Sequence, residues 1–377
     1  MTEIYVIRHV QAEGNLYRHM QGHWDGDVTA HGAEQMDRLA ERLRDVPFDA
    51  VYSSDLRRAR FTAQAALRGR NIPLITDRRL REINIGPWEG EPFANAIWET
   101  PALFDTFLND PEHFYLEGAE TYAQVQARAL EAINEIAEAK PGRTLAVTSH
   151  GITIRCIFTG LLGVPLSDNK TVPMFANTGI GRLRYEDGKW TVLSINDAKH
   201  LDEAERLIPR AKVSLRHVCI DPAAHRDTYI SCYADSWRTA HGSLMGFDGE
   251  TYFQAALEHY RADPESVMLF FDGERFAGLL DLDTERGAGF GSGWVSLLYL
   301  CPEYRFQGLG VQLLGRAVVK YRRLGCRTLR LQAAEDNAAA LAFYRKNGFT
   351  ALSWTPGSHG KLWLMEKQLR GIAHGDV

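Results

Sequence analysis

The stretch TEIYVIRHVQAEGN, residues 2–15, carries two signals at once. Residues 4–7 are apolar at consecutive positions, as a strand covered on both faces requires. They run directly into Arg8-His9, so a cation and a titratable ring stand where the strand ends. The pattern repeats outward. Beyond Thr29, the residues Ala33, Met36, Leu39, Ala40 and Leu43 recur at helical spacing. Residues 50–52 predict a second strand, followed by a helix through Ala66. Thr121-x-x-Gln124 is a capping-box pattern opening a long helix to Ala139, and residues 145–148 form a further buried strand. This alternation predicts an α/β three-layer sandwich around a mostly parallel sheet.

In open α/β sheets, ligands bind beyond the carboxyl ends of the strands. Three expected ends carry similar chemistry: Arg8-His9, Arg57-Arg58 one short turn after the second strand, and Ser149-His150-Gly151. One charged residue at a loop start means little. Two arginine groups and two imidazoles converging on one point make a site for a doubly charged tetrahedral oxyanion. Arginine offers forked donors to phosphate oxygens, and its charge does not titrate away.

On these residues the first half resembles the histidine phosphatases, the phosphoglycerate-mutase-like superfamily. Arg8-His9-Val10-Gln11 with Asn15 is similar to its first signature. Gln21-Gly22-His23-Trp24-Asp25 with Val28-Thr29, and Ser53-Ser54-Asp55-Leu56-Arg57-Arg58-Ala59 with Thr62-Ala63, resemble the next two. Leu80-Arg81-Glu82-Ile83, Gly86-x-Trp88-Glu89-Gly90, Gly118-Ala119-Glu120-Thr121-Tyr122, Ser149-His150-Gly151 and Asn177 complete the order over roughly residues 1–200. The resemblance implies phosphoryl transfer through a phosphohistidine at His9. Arg8, Arg58 and His150 would hold the equatorial oxygens, and Asn15 would add a neutral donor. Glu82 would protonate the leaving oxygen and later draw a proton from water. Val10 and Ala12 depart from the usual Gly and Ser/Thr beside the nucleophile.

A mutase must keep a bisphosphate in place, which calls for extra cations. Between Arg81 and Arg128 there is no Lys or Arg. The stretch is acidic and rich in aromatics, including Trp88, Phe93, Trp98, Phe104, Phe107, Phe114 and Tyr115. An acidic, aromatic cap suits a neutral, apolar or amine-bearing phosphoester, with 3-phosphoglycerate a poor substrate. The plainer expectation for most of the aromatics is that they pack the cap's own small core. His19, His23 and His31 near Asp25 and Asp27 invite a metal reading, but the surrounding glycines favour a solvated loop, and no metal is expected.

The remaining composition bounds the rest. The chain has 377 residues, more than one core usually holds, so two domains are expected. Hydrophobic residues at 45% and charged residues at 24% exclude a largely disordered or fibrous chain. A net charge of −5 gives no reason to expect nucleic acid or an anionic membrane as partner. No apolar run approaches a membrane span, and the N-terminus lacks the pattern of a signal peptide. Five scattered cysteines without Cys-x-x-Cys read as reduced, mostly buried thiols in a cytoplasmic protein. Residues 1–210 carry a net −6 and the remainder +1. The charged segment 197–210, followed by a strand-like run at 213–220, sets a boundary near residue 208, giving domains 1–208 and 209–377.

The second half reads as α+β. A helix is expected over residues 223–239 and a hairpin around Asp272-Gly273, with a mobile loop at 286–293. A strongly apolar strand at 294–300 precedes Arg305-Phe306-Gln307-Gly308-Leu309-Gly310, which opens a helix with Val311, Leu314, Val318 and Tyr321 on one face. Glycines before a helix expose N–H groups where the dipole is positive, a pyrophosphate site that needs no cationic side chain. A strand at 329–332, a capping Asn337, Tyr344 two turns on and Gly348-Phe349 follow. This order resembles the GNAT acetyltransferases over roughly residues 212–368, and implies acetyl-CoA as cofactor. Leu298 and Leu300 would pair with the pantetheine arm. Arg305, Gln307, Gly308, Leu309, Gly310, Val311 and Asn337 complete the implied cofactor site. Tyr344 would protonate the departing thiolate. No base for the acceptor amine is evident; Asp281, Asp283 and Glu335 are candidates by position, and a water chain would also serve.

The expected protein is a bifunctional enzyme, a phosphomonoesterase followed by an N-acetyltransferase, with small-molecule phosphoester and amine substrates. One molecule bearing both groups would serve both sites. The alternatives are a phosphatase regulated by a non-catalytic acetyl-CoA-sensing domain, a phosphoglycerate mutase-type activity in the first domain, and an enzyme acting on other proteins.

Overall fold

The computed structural model describes residues 1–203, 213–357 and 359–369. The chain divides into two compact units, Met1–Glu91 with Ala96–Lys212, and Pro92–Asn95 with Val213–Val377. The boundary expected near residue 208 lies outside the described residues. Residues 92–95, which include the start of the helix at Phe93–Glu99, are grouped with the second unit.

In the first unit the order is β1 (Thr2–Arg8), α1 (Glu13–Tyr17), α2 (Ala30–Leu43), β2 (Ala50–Ser53), α3 (Arg57–Leu67) and β3 (Leu74–Thr76). The cap segments α4 (Phe93–Glu99) and α5 (Pro101–Asn109) come next. Then follow α6 (Tyr122–Ala139), β4 (Thr144–Ser149), α7 (Gly151–Leu161), β5 (Ile180–Glu186) and β6 (Lys189–Asp197). The sheet order is β3-β2-β4-β1-β5-β6. The first four strands are mutually parallel, and β5 and β6 add an antiparallel edge. Ile4 and Val6 of β1 join the core beneath α6 and α7, while Ile7 joins the opposite core beneath α2 and α3. Helices thus cover both faces, as the unbroken apolar run requires. Thr29 caps α2 by accepting from Gly32 N–H, and the expected capping box at Thr121 and Gln124 opens α6.

The second unit contains β7 (Arg216–Cys219), α8 (Arg226–His241), α9 (Gly249–Ala262), β8 (Val267–Asp272), β9 (Arg275–Asp283) and β10 (Ser292–Leu300). It continues through α10 (Gly310–Arg323), β11 (Thr328–Ala334), α11 (Ala338–Lys346), β12 (Phe349–Gly357) and β13 (Gly360–Gln368). The sheet order is β12-β13-β11-β10-β9-β8-β7, with only β10 and β11 parallel. The β8–β9 hairpin turns at Gly273, at φ +59, with Asp272 facing Arg275. The expected loop at 286–293 is shorter, because Ser292 and Gly293 belong to β10. Gly293 must lack a side chain: a Cβ there would meet the Tyr321 ring at 2.2 Å.

Candidate active site

Arg8 pairs with Ser149 and Ser53 with Thr148, so β1, β2 and β4 end at one edge. The parallel register brings His9, the start of α3 and His150 together there. The His9 and His150 rings are buried, with centroids 5.2 Å apart. His9 Nδ1 lies 2.7 Å from the Val10 carbonyl oxygen. A carbonyl only accepts, so Nδ1 carries the proton and the Nε2 lone pair is free. Burial pushes both imidazoles well below their ordinary range; Arg58 adds to this for both, and Arg8 for His9.

Arg58 is fully buried. Its Nη2 donates to Gly22 O at 2.7 Å, and its Nη1 to Trp24 O at 3.1 Å and Asp25 Oδ1 at 3.5 Å. Glu89 folds that loop by accepting from His23 N–H at 2.7 Å, Ile85 N–H at 3.1 Å and Trp24 N–H. Gly22 sits at φ +44, and a Cβ there would strike Glu89 Oε1 at 2.1 Å, so the turn requires glycine. Thr62 accepts from Val10 N–H at 2.9 Å and donates to Arg58 O at 2.8 Å, tying the loop after His9 to α3. Asn177 donates to His9 O at 2.7 Å. Arg8 donates to Phe175 O, and burial lowers its guanidinium to about 10. Arg8 Nε, Arg58 Nε and His150 Nδ1 are all buried without a hydrogen-bond partner among the described residues. His150 Nε2 lies 2.8 Å from Ser54 Oγ.

Glu82 accepts from Ile83 N–H at 3.1 Å, Ile152 N–H at 3.2 Å, Thr153 N–H at 3.1 Å and the Thr153 hydroxyl at 3.3 Å. The start of α7 is where a carboxylate is favoured. Arg128 anchors the segment by donating to the carbonyls of Arg79, Arg81 and Glu82 while pairing with Glu120. Asn15 Oδ1 accepts from Ala12 N–H at 3.0 Å, which caps α1 and fixes the carboxamide. Arg57 turns away to Asp27 at 2.6 Å, so only Arg58 of that pair faces the histidines. Val10 and Ala12, the two departures, are buried. Of the three histidines weighed for metal, His23 donates to Glu82 O at 2.9 Å and His31 pairs with Glu34 at 3.3 Å. No group of three His, Cys, Asp or Glu is arranged to hold a metal ion among the described residues.

Asp25, Thr62, Glu89 and Arg128 carry roles that the spacing of motifs did not reveal. Each acts on backbone groups or on another ligand across the fold. Asp25, Thr62 and Glu89 lay inside quoted motifs, but no role was read from them, and Arg128 lay in none. In the cap, Trp88, Phe104, Phe107 and Phe114 bury their rings against one another and Tyr122, as the plainer expectation had it.

In the second unit, β10 and β11 pair only from Ser292↔Thr328 to Val295↔Leu331, and a bulge follows between Val295 and Leu297. The β11-facing edge beside Leu298 and Leu300 is therefore unpaired. Gly308 sits at φ +75 with nothing within 4 Å of a built Cβ, and Leu309 opens α10 without a side-chain cap. An uncapped helix start beside an unpaired strand edge fits a cofactor with a pyrophosphate and an amide-bearing arm. Gln307 turns its amide to Glu303 O, Val311 enters the first turn of α10, and Gly310 packs toward the Phe343 ring. Arg305 spends its donors on Leu300 O, Thr239 and Asp235. Asn337 accepts from Ala340 N–H at 3.1 Å and caps α11. Tyr344 is buried, and burial pushes its hydroxyl up to about 12. Asp281, a candidate base by position, is fully buried between Tyr229 at 2.7 Å and His259 at 2.8 Å, and Asp283 lies 3.4 Å from the same histidine.

All five cysteines are free. No helix among the described residues is long and apolar enough to cross a membrane.

The comparisons with known proteins agree with this division. The model of the histidine phosphatase superfamily (branch 1) matches residues 4–198, and that of the acetyltransferase (GNAT) family matches residues 227–349. A probable phosphoglycerate mutase, GpmB, of Yersinia pestis (strain Pestoides F) is 28% identical over 207 residues, 54% of this chain and 96% of that protein. The structure of Bacillus stearothermophilus YhfR matches at 32% identity with a TM-score of 0.52, over 53% of this chain and 99% of its own. Two strand-end imidazoles flanked by the buried Arg58 and the half-buried Arg8, with a family match over half the chain, place this protein in the histidine phosphatase superfamily, with a GNAT-family acetyltransferase domain fused behind.

Proposed function

We propose that the first domain hydrolyses phosphomonoesters through a phosphohistidine at His9. The observation that carries this reading is the set of buried, unpartnered polar atoms on Arg8, Arg58 and His150 around a neutral His9. Burying such groups without partners is costly unless an anion satisfies them. His9 Nε2 attacks phosphorus in line, forming the N–P bond as the ester P–O bond breaks. Glu82 delivers a proton to the departing oxygen. In the second step water attacks phosphorus, Glu82 takes its proton, and the N–P bond breaks. Ser54 Oγ accepts from Leu56 N–H, so its own proton can go to His150 Nε2. His150 Nδ1 is then protonated and able to donate to a phosphate oxygen. The Asn15 NH2 is the end of that amide left to donate.

Hydrolysis is preferred to mutase turnover, although the Yersinia relative is named a probable mutase. The absence of Lys and Arg between Arg81 and Arg128 leaves the cap without the cations that would retain a bisphosphate. His9→Ala should abolish phosphate release, and full activity in that variant would overturn the proposal.

The second domain is proposed to transfer acetyl groups to an amine. Bound acetyl-CoA would supply an activated thioester. Backbone N–H groups from Gln307 to Val311 would hold its pyrophosphate, and the open edge at Leu298 and Leu300 its pantetheine amides. Tyr344 keeps its proton on Oη at neutral pH, as a donor to a leaving group must. Arg305 and Asn337 support the loop and helix rather than supplying spare donors. Release of free CoA that requires an added amine tests this; acetyl-CoA binding without transfer to any amine would favour a sensing domain.

A further inference from the structure

Gly151 is the point where α7 meets Arg8: a Cβ built there would lie 3.5 Å from Arg8 Cζ and Nε. Arg155 follows four residues later on the same helix, so it stands over Gly151 on the same face, about 6 Å along the axis. It is near enough to lower the proton affinity of Arg8. Arg155 is half-buried, its Nε is enclosed without a hydrogen-bond partner, and it makes no ion pair among the described residues. The titratable groups close enough to bias its charge are Tyr122 and Cys156. Burial pushes both upward, the thiol to about 12, so neither is an anion.

Its neighbours differ. Arg57 is paired with Asp27, Arg58 with Asp25, Arg81 with Asp55 and Arg128 with Glu120. A half-buried cation without a counter-charge is costly, and the cost is recovered when an anion arrives. We infer that Arg155 binds a second anionic group of the phosphoester, a carboxylate or a second phosphate, about one helical turn from the phosphate that is transferred. The inference rests on the phosphatase reading above, and it changes the expected substrate. The uncharged or amine-bearing ester was read from residues 82–127 alone, whereas this cation enters from α7, outside that window. One such cation suits a dianionic or bisphosphate substrate for hydrolysis.

The test uses three three-carbon ligands: glycerol 3-phosphate, 3-phosphoglycerate and propane-1,3-diol bisphosphate. They share one phosphoester and differ in whether the far end is a hydroxyl, a carboxylate or a phosphate. Their affinities are measured by titration calorimetry on the full chain carrying His9→Ala, which removes turnover, with and without Arg155→Gln. At least one of the two anionic ligands should bind about 10- to 100-fold tighter than glycerol 3-phosphate, the size of a charge-assisted pair, and Arg155→Gln should erase most of that preference. The ligand that loses it identifies the second anion. Arg155→Lys should keep part of the preference, which separates lost charge from lost folding. An equal preference in the presence and absence of Arg155, or no preference in either, would overturn the inference. Phosphate release by the parent chain is measured separately, so failure of the phosphatase reading shows as no turnover, whatever the affinities are.

Discussion

The two proposed phosphate sites are built in opposite ways. In the first, the buried Arg58 and His150 and the half-buried Arg8 are side chains whose charge and donors gather at the strand ends, and carbonyls at Gly22, Trp24 and Phe175 hold the guanidiniums. In the second, the loop into α10 offers backbone amides, and its cation Arg305 is engaged by Asp235 and Leu300 O. A side-chain site preorganises charge for a transition state, where charge gathers on oxygen. A backbone site holds a leaving group's distant phosphates without taking part in the chemistry. The first should therefore fail through loss of a single charged group, and the second through a change of shape.

The largest effects should come from the first domain. Arg58→Ala and His150→Ala should each lower kcat by about 10²-fold or more, since each removes a preorganised donor. Steady-state kinetics with a chromogenic phosphomonoester measures this. A loss confined to KM would mean that the charge only binds substrate and does not stabilise the transition state. In the second domain, Gly308→Val forces a branched side chain onto φ +75 and should weaken acetyl-CoA binding by about tenfold or more while sparing phosphatase turnover. Calorimetry with acetyl-CoA reads it directly, and unaltered affinity would place the pyrophosphate elsewhere. Tyr344→Phe should slow CoA release and leave acetyl-CoA affinity in place.

A smaller effect separates the domains by pH. His9 and His150 are neutral in the fold, with folded values well below the ordinary 6.5. The unfolded chain binds more protons below that value, so their contribution to stability is complete above about pH 6.5 and falls as the pH drops. The unfolding transition of the first domain should therefore move to lower temperature between pH 7 and 5. His150→Gln should flatten that slope. An identical slope in parent and variant would mean that His150 is already protonated in the fold.

Legibility followed the same divide. The strand ends were readable because residues 4–7 are an unbroken apolar run that stops at Arg8-His9, and residues 145–147 an apolar run that leads through Thr148-Ser149 into His150. Arg58, His9 and His150 were readable because their chemistry is their own. Glu89 and Arg128 were not, because they act on backbone carbonyls and amides that only the fold assembles. The β5–β6 edge was missed although a signal existed: Asp187-Gly188, both at positive φ, turns the hairpin between alternating residues. Arg305 shows the converse. Its place in the motif was legible, but its engagement by Asp235, seventy residues earlier in the chain, was not.

The central claim is that His9 is the nucleophile and that its Nδ1 proton is held by Val10 O, leaving Nε2 to attack. Rapid quenching of the full chain during turnover, followed by phosphorus NMR and mass-spectrometric mapping under alkaline conditions, tests this directly. The account predicts an acid-labile phosphoramidate on His9, attached at Nε2. Phosphate on another residue, attachment at Nδ1, or turnover with no phosphoenzyme in the burst phase would contradict it.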